Sequence, residues 1–360
     1  MGEQIRDVRF YFVKEEGSLS TYFGRTVALL IGLMVSSTLV YFTLDAIKWE
    51  ELVLALSYVK PIYLLAVACS IGVGIYLRAI RWRFIASYGH IESVKFFKAT
   101  TYGVAVNMIV PGRLGEVVRI VSLARMLGTS LSNPLASALI DRSIDVIFLT
   151  VSVGVFALGF TRFQAADEGK EITVALLCIL IMTVFALSML RTQLAEKIAI
   201  HMCRRLLSKL HSSSEGILSD TLAFIRAFSV QRGFAGLFLS LIILGADCLA
   251  LLCVLASINL ELPWESSLVL WIVFTAGSSI PSAPGSIGVY QVAAIWGLGL
   301  FGVSPVLAVA AATIFQITAI TTVLLATIPQ LILDFYLTPT LDNPGASGEN
   351  LPTHSADSHR

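Results

Sequence analysis

Charge is what this chain has least of. Only 14% of its 360 residues are Asp, Glu, Lys or Arg, against 56% hydrophobic residues. Globular domains carry about 25% charged residues, so a soluble reading is excluded and a polytopic membrane protein is indicated. The net charge of +1 gives no reason to expect a nucleic-acid partner. Cysteine is sparse: Cys69, Cys178, Cys203, Cys248 and Cys253 are scattered and form no C-x-x-C pair, so neither a disulfide framework nor a zinc site is suggested. Histidine is equally scattered, at His90, His201, His211, His354 and His359, and no metal or other cofactor is expected. No Lys or Arg occurs between Arg232 and Arg360, so basic residues do not orient the C-terminal half. A cleavable leader is not expected either, because about two dozen mostly polar residues precede the first apolar run, which is long enough to remain as an anchor.

What is abundant is apolar sequence in long runs. A spanning helix needs about 20 predominantly apolar residues. Full spans are predicted near 26–44, 61–84, 133–160, 172–190, 234–257 and 304–336. Two further stretches are interrupted. Residues 94–127 are split by Pro111-Gly112 and residues 265–302 by Pro284-Gly285. Both read as helical hairpins that enter the membrane and return, the second being alternatively two true spans. The expected fold is therefore an all-α integral membrane protein. About six full transmembrane helices and two broken re-entrant hairpins would be arranged as an inverted repeat. By domains, 1–24 is expected to be a cytoplasmic segment, 25–337 the polytopic body and 338–360 a disordered tail rich in Pro, Gly, Ser and Asn.

Basic residues set the orientation. Arg6, Arg9, Lys14 and Arg25 fall on one side with Arg78, Arg81, Arg83, Lys95 and Lys98, and with Arg191, Lys197, Arg204, Arg205, Lys209, Arg226 and Arg232. That side, with the N-terminus, is expected to be cytoplasmic, in the inner cell membrane. The opposite loops, including 45–60, hold fewer basic residues. In the loop 191–232, Ile198, His201, Met202, Arg205, Leu206 and Lys209 recur at helical spacing, read either as an interfacial helix on the anionic leaflet or as a solvated loop.

The breaks hold the polar chemistry. Irregular backbone at membrane depth is tolerated only where protein or a water-filled cavity satisfies it. The first break runs Asn107, Pro111, Gly112, Arg113, Gly115, Glu116, Arg119. Arg113 stands where a new helix would begin with unpaired N–H groups, which suits a phosphate; alternatively it snorkels or pairs with a distant carboxylate. Glu116 and Arg119 are spaced to pair on a helix. Asp141 and Asp145 share a helix face, with Arg142 able to reach Asp145. They read as a self-neutralised structural network, or as a cavity-facing carboxylate pair. Arg78, Arg81 and Arg83 around Trp82 read as an ordinary cytoplasmic helix end, or as a funnel for anionic headgroups. The second break carries Ser278, Ser279, Ser282, Pro284, Gly285, Ser286, Tyr290 and Gln291, whose groups suit either close packing or a ligand. Asp247 and Asp334 are candidates for proton coupling, Asp334 also reading as a membrane-edge residue. Gly297, Gly299 and Gly302 match G-x-G-x-x-G, but without a preceding strand the match is not a dinucleotide site.

The segments Leu77 to Arg83, Asn107 to Arg119, Ala138 to Asp145 and Ile280 to Val289 together resemble the lysylphosphatidylglycerol synthase transmembrane-region family, also described as flippase-like. The resemblance spans roughly 20–336. It implies a membrane module that moves a lipid between leaflets, with Arg113 and Glu116 as cavity residues. At Asp141 many members have glutamate. It implies membrane lipids as partners, with an anionic or phosphate-bearing headgroup, and a separate lipid-modifying enzyme as a further partner. After Tyr336 only a short tail follows, so lysyl transfer by this chain alone is not expected. The rival readings are a membrane-embedded transferase using Asp141, Asp145 or Glu116 as a base, and a scaffold that transports nothing. No catalytic motif favours the transferase.

Overall fold

The structure, a computed structural model, describes residue 34 and residues 49–88, 92–110, 114–159, 211–278 and 284–337. Every regular element among the described residues is helical. In chain order these are α1 (Trp49–Ser57), α2 (Pro61–Ala86), α3 (Ser93–Ile109), α4 (Gly115–Leu127), α5 (Ser132–Gly159), α6 (His211–Ala227), α7 (Val230–Ser257), α8 (Glu265–Gly277), a 3-10 turn (Pro284–Ser286), α9 (Val289–Gly299) and α10 (Pro305–Leu337).

The helix ends follow local chemistry. Pro61 opens α2, where its missing N–H is no loss. Ser87 closes it in the left-handed conformation, with Ser87 N–H donating to Phe84 C=O and Tyr88 N–H to Arg83 C=O. Gly128 ends α4 with the same pair of bonds, to Arg125 and Ala124. Helix α3 stops at Ile109 because Val110 precedes a proline, which pushes it to extended backbone; its φ is −109° and its ψ 127°.

Helices α2 and α7 form the spine and run antiparallel. Lys60 N–H donates to Ser257 C=O at one end, and Arg232 bonds the Ser87 hydroxyl at the other. Ser70, Gly74, Gly236 and Ser240 are buried along the two helices, so the backbones approach closely. Around Trp82, buried Phe96, Ala99 and Leu123 join α2 to α3 and α4. Val67, Leu251, Leu255, Leu270, Phe274 and Leu298 form a second core toward the other end. Large apolar side chains also face outward, among them Phe234, Phe238, Leu241, Leu325 and Leu333. On a soluble protein so wide an apolar surface would mark a docking site; here it fits lipid.

Among the described residues, three helices are long and apolar enough to cross a membrane: Pro61–Ala86, Val230–Ser257 and Pro305–Asp334. They coincide with predicted spans, as does α5 with 133–160. The spans expected at 26–44 and 172–190 lie outside the described residues. The stretches 94–127 and 265–302 each resolve into two short helices flanking the Pro-Gly pair. The loop reading of 45–60 needs correction over part of its length, because α1 is a helix. Leu52 and Leu56 are one turn apart and pack with Val309 and Ala310 of α10. The proposed amphipathic segment from Ile198 to Lys209 lies outside the described residues. Downstream of it, α6 is a helix docked on α5, with Phe224 and Ile225 packing against Ala136 and Ile140.

Candidate functional site

Arg81 of α2, Glu116 and Arg119 of α4, and Asp141, Arg142 and Asp145 of α5 converge on one cluster that is buried at its centre. Arg81 points into the bundle and is only 2% exposed. Its Nε donates to Asp141 Oδ1 (2.9 Å), its Nη2 to Asp145 Oδ1 (2.6 Å) and its Nη1 to the Ser240 hydroxyl of α7 (2.7 Å). The other oxygen of Asp141 accepts from Arg119 Nη2 at 2.9 Å. Arg119 Cζ lies over the Trp82 ring, 3.9 Å from its centroid, and the Trp82 indole N–H donates to Ser137. The cluster opens toward its rim. Arg142 bridges Asp145 Oδ2 (2.9 Å) and Glu116 Oε1 (2.5 Å), and Glu116 lies 3.8 Å from Arg119. Three arginines face three carboxylates, so the cluster is neutral as a whole. That neutrality is what lets so much charge be buried, since an unpaired buried ion is the costly case.

The first break follows directly from this cluster. Helices α3 and α4 lie side by side in contact through glycine. A Cβ on Gly115 would fall 1.9 Å from Gly103 C=O, and one on Gly103 would fall 2.7 Å from Gly115 C=O. Asn107 accepts the Gly115 N–H at 2.8 Å and so satisfies one of the orphan donors at the start of α4. Gly112 and Arg113, between these arms, lie outside the described residues.

The second break is held by side-chain amides. Gly285, Ser286 and Gly288 all take positive φ, at 67°, 57° and 86°. Gln316 of α10 donates to Gly285 C=O at 2.5 Å and accepts from Gln291 Nε2 at 2.9 Å, while Gln291 Oε1 accepts the Gly288 N–H at 2.8 Å. Gln291 thus supports the irregular backbone. Pro284 stands at the head of the 3-10 turn. Gln316 escaped the sequence reading, although a lone amide in a long apolar helix is itself a signal.

The two breaks approach each other. A Cβ on Gly285 would lie 3.6 Å from Met108 C=O, in the last turn of α3, and 3.6 Å from Ile320 Cδ1. Arg78, one turn before Arg81, pairs instead with Asp247 of α7 at 2.5 Å, and Asp247 also accepts the Trp271 indole N–H at 3.0 Å.

With this geometry in view, comparison by family is decisive. Residues 29–326 match the family described as lysylphosphatidylglycerol synthase TM region. The chain belongs to that family. Membership together with the long apolar helices makes it a multi-pass helical membrane protein with a role related to membrane lipids. Comparison with curated proteins found no match. Within this family member the matched residues contain the neutral cluster and both breaks. They stop short of Asp334, which ties the end of α10 to α3 by an ion pair with Lys98 and by a 2.7 Å bond from the Tyr102 hydroxyl.

Proposed function

We propose that this family member binds the headgroup of a phospholipid or glycolipid and carries it between leaflets. The observation that supports this is the approach of Gly285 to Met108, which sets two interrupted segments against each other. The arms are short for a hydrocarbon core of about 30 Å. At 1.5 Å per residue, α3 with 17 residues reaches about 25 Å, and α9 with 11 residues about 16 Å. On this reading 94–127 and 265–302 are re-entrant hairpins that enter from opposite sides, within a body of six full spans over 25–337. Their tips form the floor of a cavity near mid-depth, with Arg113 and the start of α4 offered to a phosphate. The N-terminus and the 191–232 region lie on the cytoplasmic side, where basic residues concentrate. The transferase reading fits less well. Both oxygens of Asp141, of Asp145 and of Glu116 face arginine, so none is free to act as a base.

Purified protein in liposomes, assayed with a fluorescent phosphatidylglycerol, tests the proposal. Arg113→Ala should slow translocation about tenfold or more, the scale of one lost charge-assisted hydrogen bond. Arg113→Lys should recover part of the rate, since lysine keeps the charge and loses the planar fork. Gly285→Val should be as damaging, because a β-branched residue resists a φ of 67°. Gly245→Val, at an open position of unbroken α7, should be tolerated. Wild-type rates in both Arg113→Ala and Gly285→Val would overturn the reading.

A further inference from the structure

Two arginines stand one helical turn apart on α2 and have opposite surroundings. Arg81 is sealed, with Nε and Nη1 bonded to buried Asp141 and Ser240 and Nη2 bonded to the half-buried Asp145. Arg78 keeps 37% of its side chain exposed, and among the described residues its one hydrogen bond runs from Nη2 to Asp247 Oδ2. The rest of its five-donor fork meets no protein acceptor there. The site is shaped to hold that guanidinium. A Cβ on Gly74 would fall 2.9 Å from Arg78 Nη1 and 3.1 Å from Asp247 Oδ1. The guanidinium therefore lies level with Gly74, one turn from Ile71, which packs in the same cluster as Met108 beside the first break. Arg78 itself is about 12 Å inside the C-terminal end of α2 by helical rise. An open guanidinium at that depth of an apolar span must be satisfied by water or by an anion.

We propose that Arg78 and Asp247 form an exchange site for a phosphate group. The free edge of the Arg78 fork takes the phosphate. Asp247 is the internal anion that the phosphate displaces and that reclaims the guanidinium on release. The Trp271 N–H keeps Asp247 hydrogen-bonded while Arg78 is engaged elsewhere. A resident carboxylate weakens net binding and so lets the ligand leave, which a carrier needs. Asp145 is no rival, because Arg81 and Arg142 already occupy both its oxygens. As a station for a lipid headgroup the site rests on the translocation reading above; free phosphate is the other source of the same chemistry.

The test uses the full chain in detergent, with two readouts. Native mass spectrometry measures retained phosphatidylglycerol, and thermal unfolding measures the response to inorganic phosphate. Arg78→Gln should lose lipid retention about tenfold or more, while Asp247→Asn should retain at least as much as wild type. The charge swap Arg78→Asp with Asp247→Arg should recover the unfolding temperature without recovering retention. A phosphate response in wild type that Arg78→Gln loses, with no lipid retained, would assign the site to a soluble phosphate. The proposal is overturned if Arg78→Gln matches wild type in both readouts. It is equally overturned if wild type shows neither response, or if the swap recovers both properties, since the pair is then a structural brace. Neither readout requires transport. A wild type that retains lipid but moves none in liposomes would sink the translocation reading and leave the exchange site standing.

Discussion

Asp141 is the residue on which the buried cluster turns. It is 1% exposed, and each of its oxygens accepts from a different arginine on a different helix. Removing it leaves Arg81 and Arg119 buried with one compensating charge fewer, a change worth about 3–5 kcal/mol when a buried pair is broken. Asp141→Ala should therefore lower stability by that order. Glu116→Gln, at the half-exposed rim, should cost about 1 kcal/mol or less. Unfolding in detergent followed by tryptophan fluorescence measures both, and equal stability of the two variants would show that the cluster does not hold the bundle. The local part of this cluster was legible in the sequence. Arg142 and Asp145 are spaced three apart on a helix, and they do pair. The contact of Arg81 with Asp141 was not legible, because it spans 60 positions and depends on which arginine of α2 turns inward. Gly74 beside Arg78 and Ser240 beside Arg81 settle that, and neither residue announces itself in a sequence.

The α3–α4 hairpin shows how an element depends on missing side chains. Gly103 and Gly115 meet backbone to backbone, and Asn107 caps the second arm from the first. Gly115→Ala places a methyl 1.9 Å from a carbonyl oxygen that cannot rotate away, so the arms must part. The expected loss is about 1–3 kcal/mol, the usual range for overpacking. Gly72→Ala, where nothing lies within 4 Å, is the matched control. Unfolding temperatures of the two variants in detergent provide the check, and a harmless Gly115→Ala would mean the arms are not in contact. The boundaries of the hairpin were readable in advance, since Pro111 must end α3 and residues 94–127 match the arms closely. Helix α1 was missed because it is only 9 residues long and carries Glu50 and Glu51 in its first turn, which drew attention to charge rather than to Leu52 and Leu56.

At the scale of the whole molecule, α10 serves both breaks. Near its end Asp334 bonds Lys98 and Tyr102 of α3, and Gln316, about 27 Å back along the helix by its rise, holds Gly285. One helix therefore grips α3 of the first hairpin and the turn of the second, and Met108 of the one meets Gly285 of the other between these grips. The inverted-repeat reading expects the two breaks to meet, but no sequence pattern gives the residues that do so. The shared Pro-Gly pair only marks two places where helical backbone must stop. The bridging residue is an amide whose partners are backbone groups, so spacing does not reveal it. The consequence is measurable. With Cys69, Cys178, Cys203, Cys248 and Cys253 replaced, cysteines at Met108 and Ser286 should be joined by a short bifunctional thiol reagent, and the joined protein should stop moving lipid. Substituting Gln316→Leu frees Gly285 C=O from its donor and should slow the joining reaction. If both cysteines react with a monofunctional reagent but never join, the breaks do not share a floor. The two hairpins would then be independent kinks in an ordinary bundle, and the common grip of α10 would have no role in transport.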